Sequence, residues 1–462
     1  MTYLVLAPEA LVVAGAIGVL IVPRAWRRFL PQATAVLVVV ALGIELWAGA
    51  ATHSYFGGAL LQDRFALFAK SAALLTAAIA LAATDWTAED SLRLGLAMPL
   101  LAAFGVMVAA SSADLLGLWA GLELAGAAGV VLVALRRPDL GLRLLVIGAI
   151  ASALILAGVA FVYGTSGSAD LTGIRAGLTG QTPTVALAIP MLVLLAGLAL
   201  RAGLAPFHVG TLPVGLGASP LGASLVIGLV AVAAAIVAVK LAAALIPIPN
   251  VYVPYAYAVS GLAMVGGGAA ALAVRSPRPR LAYLAVGQLG WVAAGLATHF
   301  RSGLAASLFL LGAFAVAATC GPALLGRAEG GETAFHGFGS VRPLRAAGLA
   351  LAMLSLAGAP PLAGFFGELA VAAALAQSGN FALLGLGLVG SVMSVAATVG
   401  TLRVLFIQSP VEETRRGSAL PAVTAFSTVG AVVFCVVVAA YGIFSFPILS
   451  LADQGAEALG LR

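Results

Sequence analysis

The sequence predicts an all-α polytopic membrane protein, and three observations carry that prediction. Only 9% of the 462 residues are charged and 62% are hydrophobic, whereas soluble globular chains carry roughly 25% charged residues. Apolar runs long enough to cross a bilayer, about 18 to 25 residues each, recur from one end of the chain to the other. Two of these runs are broken in their middle by proline beside an ionisable residue, at Leu192 to Pro220 and at Ser355 to Glu368. Lipid cannot satisfy the backbone groups a break sets free, so such breaks survive only inside protein or against a water-filled cavity.

Counted along the chain, fourteen candidate spans begin near residues 4, 33, 65, 94, 114, 142, 184, 219, 253, 281, 303, 344, 382 and 421. The first starts at Leu4 with no basic segment before it and contains Glu9, which marks a span rather than a cleavable signal. Basic residues gather after odd-numbered spans: Arg24, Arg27 and Arg28, then Arg136, Arg137 and Arg143, then Arg275, Arg278 and Arg280. Arg327, Arg342 and Arg345 follow span eleven, and Arg415 and Arg416 follow span thirteen. This bias puts the basic loops in the cytoplasm and both termini on the outer side of the membrane. Arg64, Arg175 and Arg301, and the loop with Asp85, Glu89, Asp90 and Arg93, stand outside the pattern.

The chain reads as a single membrane domain, 1–462, with no soluble insertion. Residues 1–93 hold three spans, 94–246 a first five-helix unit, 253–408 a second, and 421–447 the last span. Each unit contains one break, in spans seven and twelve, and an odd number of helices per unit inverts the second relative to the first. The net charge of +6 lies in short loops rather than in a stripe, which excludes a nucleic-acid surface. Cys320 and Cys435 are far apart in apolar runs and offer no disulfide framework, paired metal ligands or iron–sulfur spacing. No dinucleotide fingerprint is present either. The chain is therefore expected to bind no cofactor of its own, and its surroundings are the lipid bilayer.

The first break places Arg201, Pro206 and His208 within eight residues. Pro206 cannot donate to the carbonyl of Ala202 and its ring clashes there, so the helix must kink or stop. An arginine at that depth is costly unless it faces an interior cavity. Glu123 is the obvious counter-ion: nine residues into span five, it lies about 13 Å below the start of that helix, near mid-membrane. A carboxylate there is a candidate protonation site, the alternative being a pair that fixes helix packing. Arginine is effectively always protonated, so Arg201 tunes a neighbour rather than carrying the proton. His208 is either a relay near neutral pH or a loop residue satisfying freed carbonyls. Glu368 follows Pro360 and Pro361, and a carboxylate beside an unwound turn suits proton exchange with a hydrated space. Lys240, Lys70 and Glu45 lie near span ends and are expected to snorkel to the interface, with a place in the proton path as the alternative for Lys240. Gln288 in span ten either bonds across helices or lines a wet path, and Arg403 reaches for the cytoplasmic headgroups.

At these residues a resemblance becomes specific. LAPFHVGTLPVGLGASP, RPRLAYLAVGQLGWVAAGL and MLSLAGAPPLAGFFGE, in that order and spacing, resemble the antiporter-like membrane subunits of respiratory complex I, the NADH–quinone oxidoreductase. Among these subunits the likeness is to the subunit N branch, which the ending TLRVLFIQSP supports. The resemblance covers nearly the whole chain and implies a subunit contributing to proton translocation. NADH, flavin, iron–sulfur clusters and quinone are then expected in partner subunits, and other membrane-arm subunits as neighbours. It also implies a path across the membrane centre from a glutamate in span five through lysines in spans seven, eight and twelve. Carried over by position, the glutamate is Glu123, the span-seven lysine is Arg201, the span-eight lysine is Ala231 and the span-twelve lysine is Glu368. The span-ten histidine is Gln288, and the loop from His208 to Pro213 lacks the tryptophan and aspartate usual there. With a non-deprotonating residue at 201 and none at 231, transfer would run through Glu123 and Glu368 with water between them. Otherwise the chain is a divergent copy that shapes the membrane arm. A cation/proton antiporter subunit without a redox partner is the alternative function, and a non-conducting scaffold is a third.

Overall fold

The computed structural model describes residues 5–86, 92–181, 185–326, 332–408 and 424–460. The loop residues Glu89, Asp90, Arg327, Arg415 and Arg416, named for charge placement, lie outside these. Helices make up nearly all of what is described. The first half runs α1 (Ala7–Ile21), α2 (Leu30–Ala48), α3 (Arg64–Ala83), α4 (Leu92–Ser111), α5 (Leu115–Ala134) and α6 (Pro138–Ser166). A short α7 (Leu171–Leu178) leads to α8 (Val185–Ala202) and α9 (His208–Gly217). Next, α10 (Pro220–Ala223) continues through a π-helical turn, Ser224–Leu229, into α11 (Val230–Ala244). The second half runs α12 (Pro249–Ala273), α13 (Pro277–Leu296), α14 (Arg301–Leu325), the single turn α15 (Phe338–Val341), α16 (Pro343–Leu356) and α17 (Ala363–Gln377). It closes with α18 (Phe381–Phe406), α19 (Ala425–Ile443) and α20 (Ser445–Ala458).

Among the described residues ten helices are long and apolar enough to cross a membrane, and four shorter apolar helices accompany them. The chain is an all-α, multi-pass membrane protein. Among the described residues the one sheet is a hairpin in which β1 (His53–Tyr55) pairs antiparallel with β2 (Leu60–Gln62), His53 opposite Gln62. Neither this hairpin nor α7 and α20 is signalled by hydropathy, because each is short and half polar.

Proline and aspartate set many of the helix starts. Seven helices, α1, α2, α6, α10, α12, α13 and α16, open with proline at N1 or N2, where its missing N–H costs nothing. Asp63 and Asp114 cap α3 and α5, each accepting from a backbone N–H at 2.8 Å. The centre of the bundle is α14, buried along its whole apolar window and packed against the nearly buried Pro220–Ala244 segment. Helices α2, α6, α18 and α19 are mostly unburied and form the apolar periphery. Small residues make the central contacts possible, as they do wherever membrane helices approach closely. Where α4 crosses α5, a Cβ on Gly105 would lie 2.6 Å from the carbonyl oxygen of Gly121. That crossing fixes α5 two residues before Glu123.

Several basic residues read as loop charges are structural. Arg280 is buried and donates to the Ala271 carbonyl at 3.0 Å and to the Thr401 hydroxyl at 2.7 Å, closing the C-terminal end of α12. Arg345 is buried against Asp85 at 2.7 Å and donates to the Ala83 carbonyl at the end of α3. Cations at helix C-termini meet the negative end of the macrodipole.

Candidate functional site

At the first break α8 stops at Ala202 rather than kinking through Pro206. Gly203 turns the chain with φ of +69°, Leu204 N–H donates back to Ala199 at 2.9 Å, and α9 begins at His208. The break lets Arg201, in the last turn of α8, leave the helix row and cross to α5. Its Nη2 donates to Glu123 Oε2 at 3.1 Å. Arg201 is 8% exposed and Glu123 31%, so the guanidinium is in the interior and the carboxylate at its edge. Space for the guanidinium comes from two absent side chains. A Cβ on Gly126 of α5 would lie 1.8 Å from Nη2, and one on Gly148 of α6 would lie 2.3 Å from Nη1. Glu123 Oε1 and Arg201 Nε remain without partners.

A cavity of about 20 Å³ lies against Arg201, bordered by Gly126, Ile147, Gly148 and Thr211. A second of about 20 Å³ lies on the far side of the break, bordered by Gly203 and Thr211 and by Ala282, Ala285 and Val286 of α13. Each exceeds the roughly 10 to 15 Å³ that one water needs. Thr211 lines both. His208 is half-buried, edge-on to Tyr283 of α13 at 6.2 Å between centroids. Its Nδ1 is buried with no partner, so it satisfies no freed carbonyl through that atom.

At the second break α16 ends at Leu356 and α17 starts at Ala363. Gln288 of α13, 1% exposed, donates to the carbonyl of Ser355 at 2.9 Å, so bonding across helices is the reading that holds for its amide nitrogen. Pro206, Pro360 and Pro361 are exposed at the outside of the two breaks. Glu368 is turned inward, 7% exposed. It accepts from Ser391 Oγ of α18 at 2.6 Å, and Ser391 in turn accepts from Trp291 Nε1 of α13 at 3.0 Å. Gly358 has φ of +70°, and a Cβ there would fall 2.3 Å from the carboxylate. Among the described residues Glu368 makes no ion pair. Ala231, at the family's lysine position in span eight, is fully buried among apolar neighbours just past the π-helical turn.

Three residues expected to snorkel do not. Lys240 is 5% exposed and donates to the carbonyls of Ala110 and, at 2.7 Å, of Ser112, where α4 ends, with Phe65 beneath its ammonium. Those carbonyls have no partner within the helix, which is why the cation is drawn inward. Lys70 and Glu45 are 1% and 0% exposed and belong to one polar cluster with Glu9 and Gln62. Distance from a span end does not reveal that a partner waits on another helix. Arg403 is exposed. Ser391, Trp291 and Thr211 carry no sequence signal and are recognised only from their contacts.

The chain is similar to known membrane proteins along nearly its whole length. Residues 112–394, which contain both breaks and both glutamates, match the family described as NADH:quinone oxidoreductase/Mrp antiporter, TM. The NADH-quinone oxidoreductase subunit N of Granulibacter bethesdensis is 31% identical, covering 99% of this chain and 100% of that one. A chain of respiratory complex I from Thermus thermophilus, solved with bound aureothin, superposes with a TM-score of 0.81 at 26% identity over 98% of this chain and 100% of that chain. A chain of the Mrp complex from Dietzia sp. shares the fold, with a TM-score of 0.82 at 18% identity over 99% of this chain and 98% of its own. The chain thus belongs to the antiporter-like membrane subunits of the NADH:quinone oxidoreductase/Mrp antiporter family, in the bacterial group of NADH-quinone oxidoreductase subunits N.

Proposed function

We propose that this chain is a membrane-arm subunit of a complex-I-like NADH–quinone oxidoreductase that contributes to proton translocation coupled to electron transfer elsewhere in the complex. The observation that carries this reading is the Arg201–Glu123 pair at 3.1 Å, set beside a helix break and a water-sized cavity. The proton path we infer starts at Glu123, uses Arg201 as a fixed charge, passes Thr211 and His208 by water, and ends at Glu368. Gln288 braces the second break beneath it, and Lys240 is a further titratable group of the path. A change in charge or conformation in a neighbouring subunit would shorten or lengthen the Arg201–Glu123 contact. Moving the positive charge away lets Glu123 take up a proton, and its return expels it.

In this reading the chain crosses the membrane fourteen times, with α8–α9 as the broken seventh span and α16–α17 as the broken twelfth. Spans four to eight and nine to thirteen form two inverted five-helix units, and both termini lie on the periplasmic side. The chain performs no redox step; NADH, flavin, iron–sulfur clusters and quinone belong to partner subunits of the assembly. The test is the complete complex in sealed vesicles, with proton uptake driven by NADH and quinone. Glu123→Gln should leave electron transfer in place and lower the protons moved per electron pair. An unchanged ratio sinks the proposal.

A second reading, a cation/proton antiporter subunit without a redox partner, is favoured by the absence of the family lysines at Arg201 and Ala231. It requires proton flux driven by a sodium or potassium gradient alone, with no NADH present.

A further inference from the structure

We propose that Glu9, Glu45, Gln62 and Lys70 form a binding site for a single proton, separate from the path through the two breaks. The four residues come from four elements that meet at one end of the bundle: the first turn of α1, the last turn of α2, β2 and the second turn of α3. Lys70 Nζ donates to Glu9 Oε1 and, at 2.6 Å, to Gln62 Oε1. Gln62 Nε2 donates to Glu45 Oε1 at 2.7 Å and to the Gly49 carbonyl at 3.3 Å. Both ends of the amide are thus used, and its orientation is fixed by the ammonium on one side and the carboxyl on the other. Glu45, Lys70 and Gln62 are at most 2% exposed, and only Glu9, at 14%, reaches the edge.

Charge counting shows what the cluster needs. Two carboxylates face one ammonium, so full ionisation leaves one negative charge with no counter-ion in a buried site. Buried charges persist only when paired. Glu9 has the ammonium as its partner, whereas Glu45 has only a neutral amide. Its Oε2 has no partner, and neither has Glu9 Oε2. One proton on Glu45 removes the excess charge. When that O–H bond breaks, the proton passes to water past Glu9 and the cluster goes from neutral to a charge of minus one.

Of the other titratable groups on the surrounding elements, His53 of β1 is the cross-strand partner of Gln62 and lies 6.2 Å from the Tyr55 ring, and the rest are engaged elsewhere or exposed. Asp63 caps α3 and Asp114 caps α5. Lys240 is held on the carbonyls of Ala110 and Ser112, and Arg301 is paired with Asp453 and Glu457. Arg93 donates to the Leu20 and Val22 carbonyls at the opposite end of α1, and Arg64 is exposed. Space for the site is also built in. A Cβ on residue 49 would lie 2.8 Å from both Glu45 Oε1 and Gln62 Nε2, so only glycine there lets the two meet.

Infrared difference spectroscopy on the purified, assembled complex tests the site without reference to transport. At neutral pH the wild type should show the C=O stretch of one un-ionised carboxyl group per chain that is missing in Glu45→Gln. In Glu9→Gln the remaining carboxylate and Lys70 neutralise each other, so the same band should also vanish. In Lys70→Met both carboxyls lack a cation, and the band should double. Identical spectra for wild type and Glu45→Gln overturn the proposal. If Glu45→Gln does not assemble, a band that persists unchanged in Glu9→Gln overturns it instead.

Discussion

Arg201, at the end of α8, reaches across the interior to Glu123 of α5 and holds it at 3.1 Å, although 78 residues separate the two in the chain. The contact exists because α8 ends one residue later and because α5 and α6 present glycines to the guanidinium. Its two members are unequally buried, 8% against 31% exposed. Breaking a fully buried pair costs about 3 to 5 kcal/mol, whereas an exposed pair is worth about 0 to 1 kcal/mol. Glu123→Gln leaves the buried Arg201 charge without a counter-ion but keeps an oxygen that accepts its hydrogen bond, so the cost should fall between the two ranges. The expected outcome is a complex that assembles with a small drop in thermal midpoint but translocates fewer protons. Loss of assembly with an unchanged proton ratio in the surviving fraction would assign the pair to scaffolding.

Gly126 is the more discriminating position. A methyl group there would sit 1.8 Å from Arg201 Nη2, whereas at Gly129, one turn on, it would meet the side chains of Val230 at 3.4 Å and Val226 at 3.8 Å. Gly126→Ala should therefore displace the guanidinium and uncouple proton movement from electron transfer. Gly129→Ala, on the same helix with the same gain in helix propensity of about 1 kcal/mol, should behave as wild type. Equal proton-to-electron ratios in the two variants would show that the pair's position does not matter.

Much of this arrangement is legible in the sequence, and the reasons differ by residue. The breaks announce themselves because proline there stands beside an ionisable residue, whereas Pro99, Pro190, Pro254 and Pro322 are carried inside continuous helices; Glu123 and Arg201 do so because charge at mid-span must find a partner. The cluster of Glu9, Glu45, Gln62 and Lys70 is invisible for the opposite reason. Each member lies near a helix end, where one-dimensional reasoning sends it to the interface, and only the hairpin between α2 and α3 brings Gln62 in to join them. Lys240 is misread in the same way, because the end of α4 that receives it is some 130 residues away in the chain. Ser391 and Trp291 are ordinary residues until Glu368 turns toward them.

The inward placement of Lys240 has its own consequence. Its ammonium satisfies carbonyls at the end of α4 that no backbone N–H reaches. Lys240→Met fills the same volume but leaves the Ser112 carbonyl unpaired, at a cost of about 1 to 3 kcal/mol. The thermal midpoint of the assembled complex should fall accordingly. If it does not move, the side chain was never buried as described.

The last prediction concerns the space that Glu368 occupies. Gly358 and Gly379 both have positive φ, +70° and +75°, so alanine at either position meets the same backbone penalty of about 1 to 2 kcal/mol. They differ in what a Cβ would touch: at Gly379 nothing lies within 4 Å, while at Gly358 the Glu368 carboxylate is 2.3 Å away. Gly379→Ala should therefore lower stability by that amount and leave proton movement per electron pair unchanged. Gly358→Ala should lower stability further and push the carboxylate off Ser391, and with it the proton yield should fall. The pair of variants separates backbone strain from carboxylate position, because the first is common to both. If Gly358→Ala and Gly379→Ala give the same proton yield in sealed vesicles, the inward pose of Glu368 has no part in translocation, and the proposed path must end elsewhere.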